Sequence, residues 1–393
     1  MGWEYRNLGD LCEVIAGQSP EGKFYNDNGE GLPFYQGKKD FGDKYIDAPR
    51  TWTKKVTKQA KDGDILMSVR APVGPINFSV EDICIGRGLA AIRSSAALDK
   101  DFLFYVLLSK QDEIKGHEGA VFASINKKQI EQLSIPNVTL AEQQRIVAIL
   151  DQAFADIEKA RASAEKNLKN ARELFDNYLW GIFGRPDESW IETTVGDLCV
   201  KMEYGSSAKS QNEGEIPVLR MGNLQKGQID WTDLKYSADP EEIKKYMLQK
   251  GDVLFNRTNS DEHVGKTAIY RGEMPAIFAG YLIRVHRKQE LLDGEFLNFY
   301  LNSSIARDYG KTVMSRSVNQ ANINASKLKE YPIAVPDMKT QKQLVSIFSS
   351  LKDELERLEK VYVRKVTLLD TLKKSLLQKA FSGELTKSKG IAA

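Results

Sequence analysis

The 393 residues, 41% hydrophobic and 28% charged, are too many for one hydrophobic core and suit two or more water-facing globular domains. A net charge of +2 excludes a globally basic polyanion binder, so any such partner must be met by local patches. No run of 18 apolar residues exists to span a membrane. Three scattered cysteines, Cys12, Cys84 and Cys199, argue against a disulfide framework and for a reducing cytoplasm.

Met1 to Arg6 lacks the basic-then-apolar start of a secretory leader and the Ser or Thr of a myristoylation site, so the expected location is cytoplasmic. The first distinctive stretch is WEYRNLGDLC at 3–12. It returns as WIETTVGDLC at 190–199, sharing Trp, Gly, Asp, Leu and Cys. Trp, Leu and Cys are core types and Gly-Asp is a turn or helix-start signal, so each copy reads as the opening of a folded module rather than as a site.

LPFYQG (32–37) and GDILMSVRAPVGPI (63–76) read as strands bounded by turns. Between them, residues 38–61 hold Lys38, Lys39, Lys44, Arg50, Lys54, Lys55, Lys58 and Lys61 against three Asp. DKDFLFYVLLS (99–109) suits a short amphipathic helix. From Leu140 to Phe183 there is no Pro, and no Gly before Gly181. That predicts one long helix of roughly 60 Å.

The second half repeats this order. IPVLRMG (216–222), GDVLFNRTNSDEHVGKTAI (251–269), DGEFLNFYLNS (293–303) and NINASKLKEYPIAVP (322–336) answer their first-half counterparts. Met338 to Phe381, free of Gly and Pro, predicts a second long helix. The pattern is a tandem duplication of about 190 residues rather than a short solenoid repeat. The expected fold is α/β (α+β): two globular heads with several short strands each, joined to two long helices.

Steps of four and three along the first helix give a seam through Ile146, Leu150, Ala153, Ile157, Ala160, Ala164, Asn167, Ala171, Leu174 and Tyr178. The second gives Leu344, Phe348, Leu351, Leu355, Leu358, Tyr362, Lys365, Leu369, Leu372 and Leu376, nine of ten apolar or aromatic. An Ala-rich stripe facing a Leu-rich one predicts a coiled-coil pair. An antiparallel pair would place similar heads at opposite ends with an internal two-fold.

Catalytic signatures are missing. His117, His263 and His286 have no ligand partners at metal spacing. There is no dinucleotide or phosphate loop, no nucleophile elbow and no Asn-Pro-Pro-aromatic run. Glu21-Gly22-Lys23 reads as a loop. A duplicated, rod-bearing chain of this kind reads as a binding and measuring device, and a DNA duplex presents the same chemistry at regular intervals. Candidate DNA-binding residues are Gln36, Lys38, Lys39 and Arg70 in the first head, with the 38–61 patch expected on phosphates. In the second they are Arg220, Asn223, Asn256, Arg257 and Asn259, with Arg316, Asn319 and Gln320 from a polar loop at 315–320; Arg, Lys, Asn and Gln make bidentate base contacts.

Taken together, the motifs resemble the specificity subunit of type I restriction–modification systems. The resemblance spans the whole chain. It rests on the tandem Trp-x5-Gly-Asp openings and on the junctions from Ile135-Pro136 to Gln143-Gln144-Arg145 and from Val335-Pro336 to Gln341-Lys342-Gln343. The ending Ala380-Phe381-Ser382-Gly383-Glu384-Leu385 adds to it; Gly181 to Pro186 is a degenerate copy.

The resemblance implies target recognition domains at 1–139 and 185–337, long conserved helices at 140–184 and 338–386, and a flexible tail at 387–393. Each head would read one half of an asymmetric, bipartite double-stranded DNA target. The helices would set the spacer and dock two methyltransferase subunits. No catalytic residue, metal or cofactor would belong to this chain. S-adenosylmethionine, ATP and magnesium would serve the methyltransferase and the motor-nuclease partners. The alternatives are a specificity subunit for a fused methylase–nuclease of another restriction type, a coiled-coil adaptor that does not bind DNA, and a divergent enzyme.

Overall fold

The structure is a computed structural model that describes residues 3–114, 124–318 and 320–386. His117, Asn319 and the expected tail at 387–393 lie outside the described residues. The chain divides into two compact units: residues 1–164 with 364–393, and residues 165–363. Each unit therefore holds one head, the start of the long helix that follows it, and the end of the other long helix.

The duplication survives as topology. In the first unit Glu4–Asn7 pairs antiparallel with Ser134–Asn137, and a four-stranded sheet runs Cys12–Ala16, Leu89–Ser94, Ile65–Ser68, Ile76–Phe78. In the second, Ile191–Thr194 pairs with Pro332–Val335, and the sheet runs Cys199–Tyr204, Leu282–Arg287, Val253–Asn256, Thr267–Ile269. Ile65–Ser68 and Val253–Asn256 are buried along their whole length, as unbroken apolar runs in a central strand should be.

The Gly-Asp dipeptides have separate tasks. A Cβ at Gly9 would stand 2.9 Å from the Glu131 Cβ, and one at Gly196 2.9 Å from the Lys329 Cβ. Close chain approach thus explains the glycine in both openings. Cys199 is buried and Cys12 half-buried against the core, and burial pushes both thiols up to about 12. At Gly63-Asp64 and Gly251-Asp252 the carboxylate closes its own turn, accepting from Lys61 N at 2.8 Å and Gln249 N at 2.9 Å. It then takes an arginine from the neighbouring strand: Arg93 Nη2 at 2.7 Å from Asp64, Arg284 Nη1 at 3.2 Å from Asp252.

The short helices Lys100–Ser109 and Gly294–Asn302 are capped by Asp99 and Asp293, whose Oδ1 atoms accept two backbone N–H bonds each. Both are buried over nearly their whole length rather than on one face, because the sheet covers one side and the long helices the other.

The two junctions are the same joint built twice. Gln143 Oε1 accepts from Asp99 N at 2.7 Å, and its Nε2 donates to Ala97 O and Val138 O at 3.2 and 3.0 Å. Gln341 Oε1 accepts from Asp293 N at 2.8 Å, and its Nε2 donates to Leu291 O and Pro336 O at 2.8 and 2.9 Å. Both amides are buried with donors and acceptors matched. The helix ends correspond too: Phe381 meets Phe102 edge-on at 5.6 Å in the first unit, and Phe183 meets Phe296 at 5.2 Å in the second.

Within each unit the two helix segments run antiparallel. Glu158 pairs with Lys373 and Arg161 with Asp370 in the first unit; Arg172 pairs with Glu359 and Tyr178 packs on Phe348 in the second. Of the expected seam, Ile146, Leu150, Ile157 and Phe348 are buried, while Leu344, Leu355, Leu358 and Leu369 are half-buried. Leu174, Leu351 and Leu372 are exposed by 73%, 41% and 47%. Phe175, Lys352 and Lys373 take the inward places instead. The four-three stepping therefore matches the packed face only in part: Leu351, one heptad after Leu344, faces solvent, while Tyr178, beyond Leu174, packs on Phe348. Leu174→Ser should therefore leave the unfolding midpoint almost unchanged, within about 0.5 kcal/mol. Ile157→Ala should cost about 2–4 kcal/mol. Equal losses in denaturant titrations would contradict the shifted seam.

Candidate nucleic-acid interface

In the first head, strand Leu32–Tyr35 lies parallel to Ile83–Ile85. The chain leaves both strands together: Gly86 N donates to Tyr35 O at 2.8 Å and Gly88 N to Gln36 O at 3.1 Å. Val69 N reaches Gly88 O at 3.0 Å, which brings Arg70 to the same edge. Gln36, Lys38, Lys39 and Arg70 are all exposed there. Among the described residues none of these three cations is within ion-pair distance of a carboxylate.

The rest of the basic stretch is partly spent. Lys44 bonds to Asp101 at 2.9 Å and lies over the Phe78, Phe104 and Tyr105 rings. Arg50, Lys54 and Lys55 face Asp40, Glu30 and Glu21. Lys38, Lys39, Lys58 and Lys61 remain exposed. Arg87, exposed between Gly86 and Gly88, joins this edge. Sequence reading passed over it; its signal was Gly-Arg-Gly between two apolar runs.

The second head repeats the backbone and changes the side chains. Ala279 N donates to Leu219 O at 2.9 Å, as Gly86 does to Tyr35, so Arg220 stands where Gln36 stands. Arg257 N donates to Tyr281 O at 3.0 Å, as Val69 does to Gly88. Arg257 thus occupies the place of Val69, and Thr258 that of Arg70. The two arginines are one residue out of register, which turns their side chains to opposite faces.

The guanidinium of Arg257 lies 4.9 Å over the Tyr204 ring, with Nε donating to Gly280 O at 2.9 Å. Arg220 is turned onto Asp233, with Nη2 at 2.9 Å from the carboxylate. Asn223 and Asn256 are buried rather than displayed. The Asn223 amide holds Asp230 O and Asp233 O, and the Asn256 amide holds His263 O. Polarity alone could not tell an amide displayed on the surface from one used inside.

The expected polar loop at 315–320 forms part of a ribbon. Ser315–Ser317 pairs with Gln320–Asn322, which pairs with Thr258–Asn259. This brings Asn259, Arg316 and Gln320 together, with Gln320 exposed and Arg316 on Asp261 at 2.7 Å. An exposed pair of this kind is worth little and can be exchanged for another anion.

A family model for the type I restriction modification DNA specificity domain matches residues 1–165 and 187–363. The chain belongs to this family. The type I restriction enzyme EcoKI specificity subunit of Escherichia coli K12 is 25% identical over 68% of this chain and 61% of its own length. The StySPI specificity subunit of Salmonella potsdam is 27% identical over the same shares. The chain thus spans about three fifths of those two relatives. The MjaVIII specificity subunit of Methanocaldococcus jannaschii is 23% identical over 98% of this chain and 93% of that one.

Among solved structures, a chain from work on complex assembly and conformational transition of the type I restriction–modification system superposes with a TM-score of 0.81. It is 18% identical and covers 98% of both chains. The HsdS subunit from Thermoanaerobacter tengcongensis gives 0.60 at 17% identity, over 98% of this chain and 97% of that one. Both likenesses are of fold: two α/β bodies with two long helices. For a specificity-family chain, the informative positions are those where the two heads share backbone and differ in side chain. No group of three metal-ligating side chains occurs among the described residues, and no described helix is long and apolar enough to cross a membrane.

Proposed function

We propose that the chain is the DNA-recognition subunit of a type I restriction–modification enzyme, each head reading one half of a bipartite, non-palindromic target. The supporting observation is the pairing of one backbone with two side-chain sets: Gln36 against Arg220, Arg87 against Gly280, Val69 against Arg257, Arg70 against Thr258. Heads with the same frame and different donors should select different bases. Lys38, Lys39, Lys58 and Lys61 supply phosphate contacts, which carry salt-dependent affinity and no sequence choice.

The helix pair, in this reading, fixes the number of unread base pairs and docks two methyltransferase subunits. Those subunits bring S-adenosylmethionine and methylate adenine; motor-nuclease subunits bring ATP and magnesium. The test is to co-express the chain with its methyltransferase subunit and map modified adenines. A split motif with a fixed gap is expected. One heptad added to each long helix at facing positions should lengthen that gap. Methylation indifferent to this chain would sink the reading, and an unchanged gap would sink the spacer role.

A further inference from the structure

We propose that Arg87 is a specificity-determining residue that reads a guanine in the first half-site. The inference rests on the DNA-recognition reading above. It goes beyond that reading by naming a residue and a base.

The mount of Arg87 is rigid. Its own N–H donates to Ser19 Oγ at 3.2 Å. On one side, a Cβ on Gly88 would come within 2.4 Å of Gln36 O; on the other, one on Gly17 would come within 2.2 Å of Gly86 O. Three backbone segments therefore meet at a distance only glycine allows, with Arg87 at the turn between the flanking glycines. A contact residue held by packed backbone keeps its geometry without ordering a loop on binding.

The charge of Arg87 is uncommitted. The side chain is exposed, and among the described residues no carboxylate lies within ion-pair distance of it. Arg93, six residues on, shows the other outcome: its guanidinium is shared between Asp64 and Glu13 and serves the fold. Arg87 makes no such contribution, and it stands beside Gln36 and Arg70, both exposed.

The duplicated frame supplies the remaining argument. Gly280 occupies the place of Arg87 in the second head, and there the arginine arrives from another strand, as Arg257 with Nε on Gly280 O. Both heads therefore set an arginine at the same turn, from different chain positions. A planar fork of donors fits guanine O6 and N7 bidentately, and lysine cannot reproduce it. Two forks mounted at different chain positions suit two different half-sites.

The experiment uses the chain assembled with its methyltransferase subunit and the target mapped for wild type. Binding is measured to that target and to duplexes with one base pair replaced at each specified position. Arg87→Ala and Arg87→Lys should both reduce discrimination at one G·C pair of the first half-site from about 10- to 100-fold to near one. Discrimination across the second half-site should stay intact. Arg257→Ala should do the reverse. Three results would overturn the proposal. Unchanged discrimination with a salt slope reduced by about one would mark a phosphate contact. Equal loss in both half-sites would mark a folding or assembly role. Rescue by lysine would show that charge alone suffices. Wild-type protein that discriminates at neither half-site would overturn the DNA-recognition reading itself, and this assignment with it.

Discussion

Replacing Gln341 by Leu should lower the stability of the second unit by about 3 kcal/mol, since three backbone groups, one buried and two partly buried, lose their only amide partner, and an orphaned buried group costs about 1–3 kcal/mol before relaxation. The groups are Asp293 N–H, Leu291 O and Pro336 O. In a unit of this size the unfolding temperature should fall by roughly 6–12 °C. Gln143→Leu should do the same to the first unit through Asp99 N–H, Ala97 O and Val138 O.

Gln341→Glu sharpens the test. A carboxylate can still accept from Asp293 N–H, but it cannot donate to the two carbonyls, and burial raises its pKa above the unfolded value. Stability of that variant should be best below the ordinary glutamate range and fall as pH rises through the folded pKa. Leucine variants that unfold with the wild type in calorimetry would show that water replaces the glutamine at no cost.

The second large effect is expected at Arg284, whose side chain is 8% exposed. It donates to Glu203 through Nε at 2.9 Å and through Nη2, to Met247 O at 2.8 Å and to Asp252 at 3.2 Å, with its plane 5.1 Å over Phe278. Burial alone would raise the Glu203 carboxyl; hydrogen bonds from Arg284, His286 and Lys201 outweigh it and hold the group at about 2. Removing one partner of a buried ion network costs about 3–5 kcal/mol, because the other charges stay behind.

Arg284→Ala should therefore cost about that much at pH 7. The sign with pH follows. Glu203 is depressed, so its contribution is present above the ordinary glutamate value and is lost as pH falls from about 4.5 towards 2. Wild type should weaken across that window. The variant, whose Glu203 titrates nearer the ordinary value, should lie closest to wild type at its acid end. Denaturant midpoints at pH 7, 4.5 and 2.5 measure this directly. A gap between the two proteins that is constant across pH would refute the assignment.

The architecture was legible because it is written redundantly. Two copies of one opening, two proline-to-glutamine junctions and two stretches of more than forty residues without an interior proline specify heads and helices by self-similarity and propensity. The helix seam was legible in part: Ile146, Leu150, Ile157 and Phe348 are buried and Tyr178 packs on Phe348, while Leu174, Leu351 and Leu372 face solvent.

At the candidate interface, residue type did not fix orientation. Gln36, Lys38, Lys39, Arg70 and Gln320 are exposed as expected. Asn223 and Asn256, equally polar, spend their amides on backbone carbonyls. Backbone pairing sets Arg257 at the place of Val69 and Thr258 at that of Arg70, so the two arginines stand one residue out of register. Arg87 escaped because its counterpart in the repeat is Gly280, and a comparison of copies shows only what both retain.

The glutamine joint bears on how such a chain changes. The same three hydrogen bonds close each head onto its helix, from donors and acceptors at corresponding positions. A gene crossover between the two copies of that joint would rebuild the same contacts whichever head it delivered. A head exchanged at that joint would thus meet its helix through the same three hydrogen bonds, without redesign of the parts that hold it.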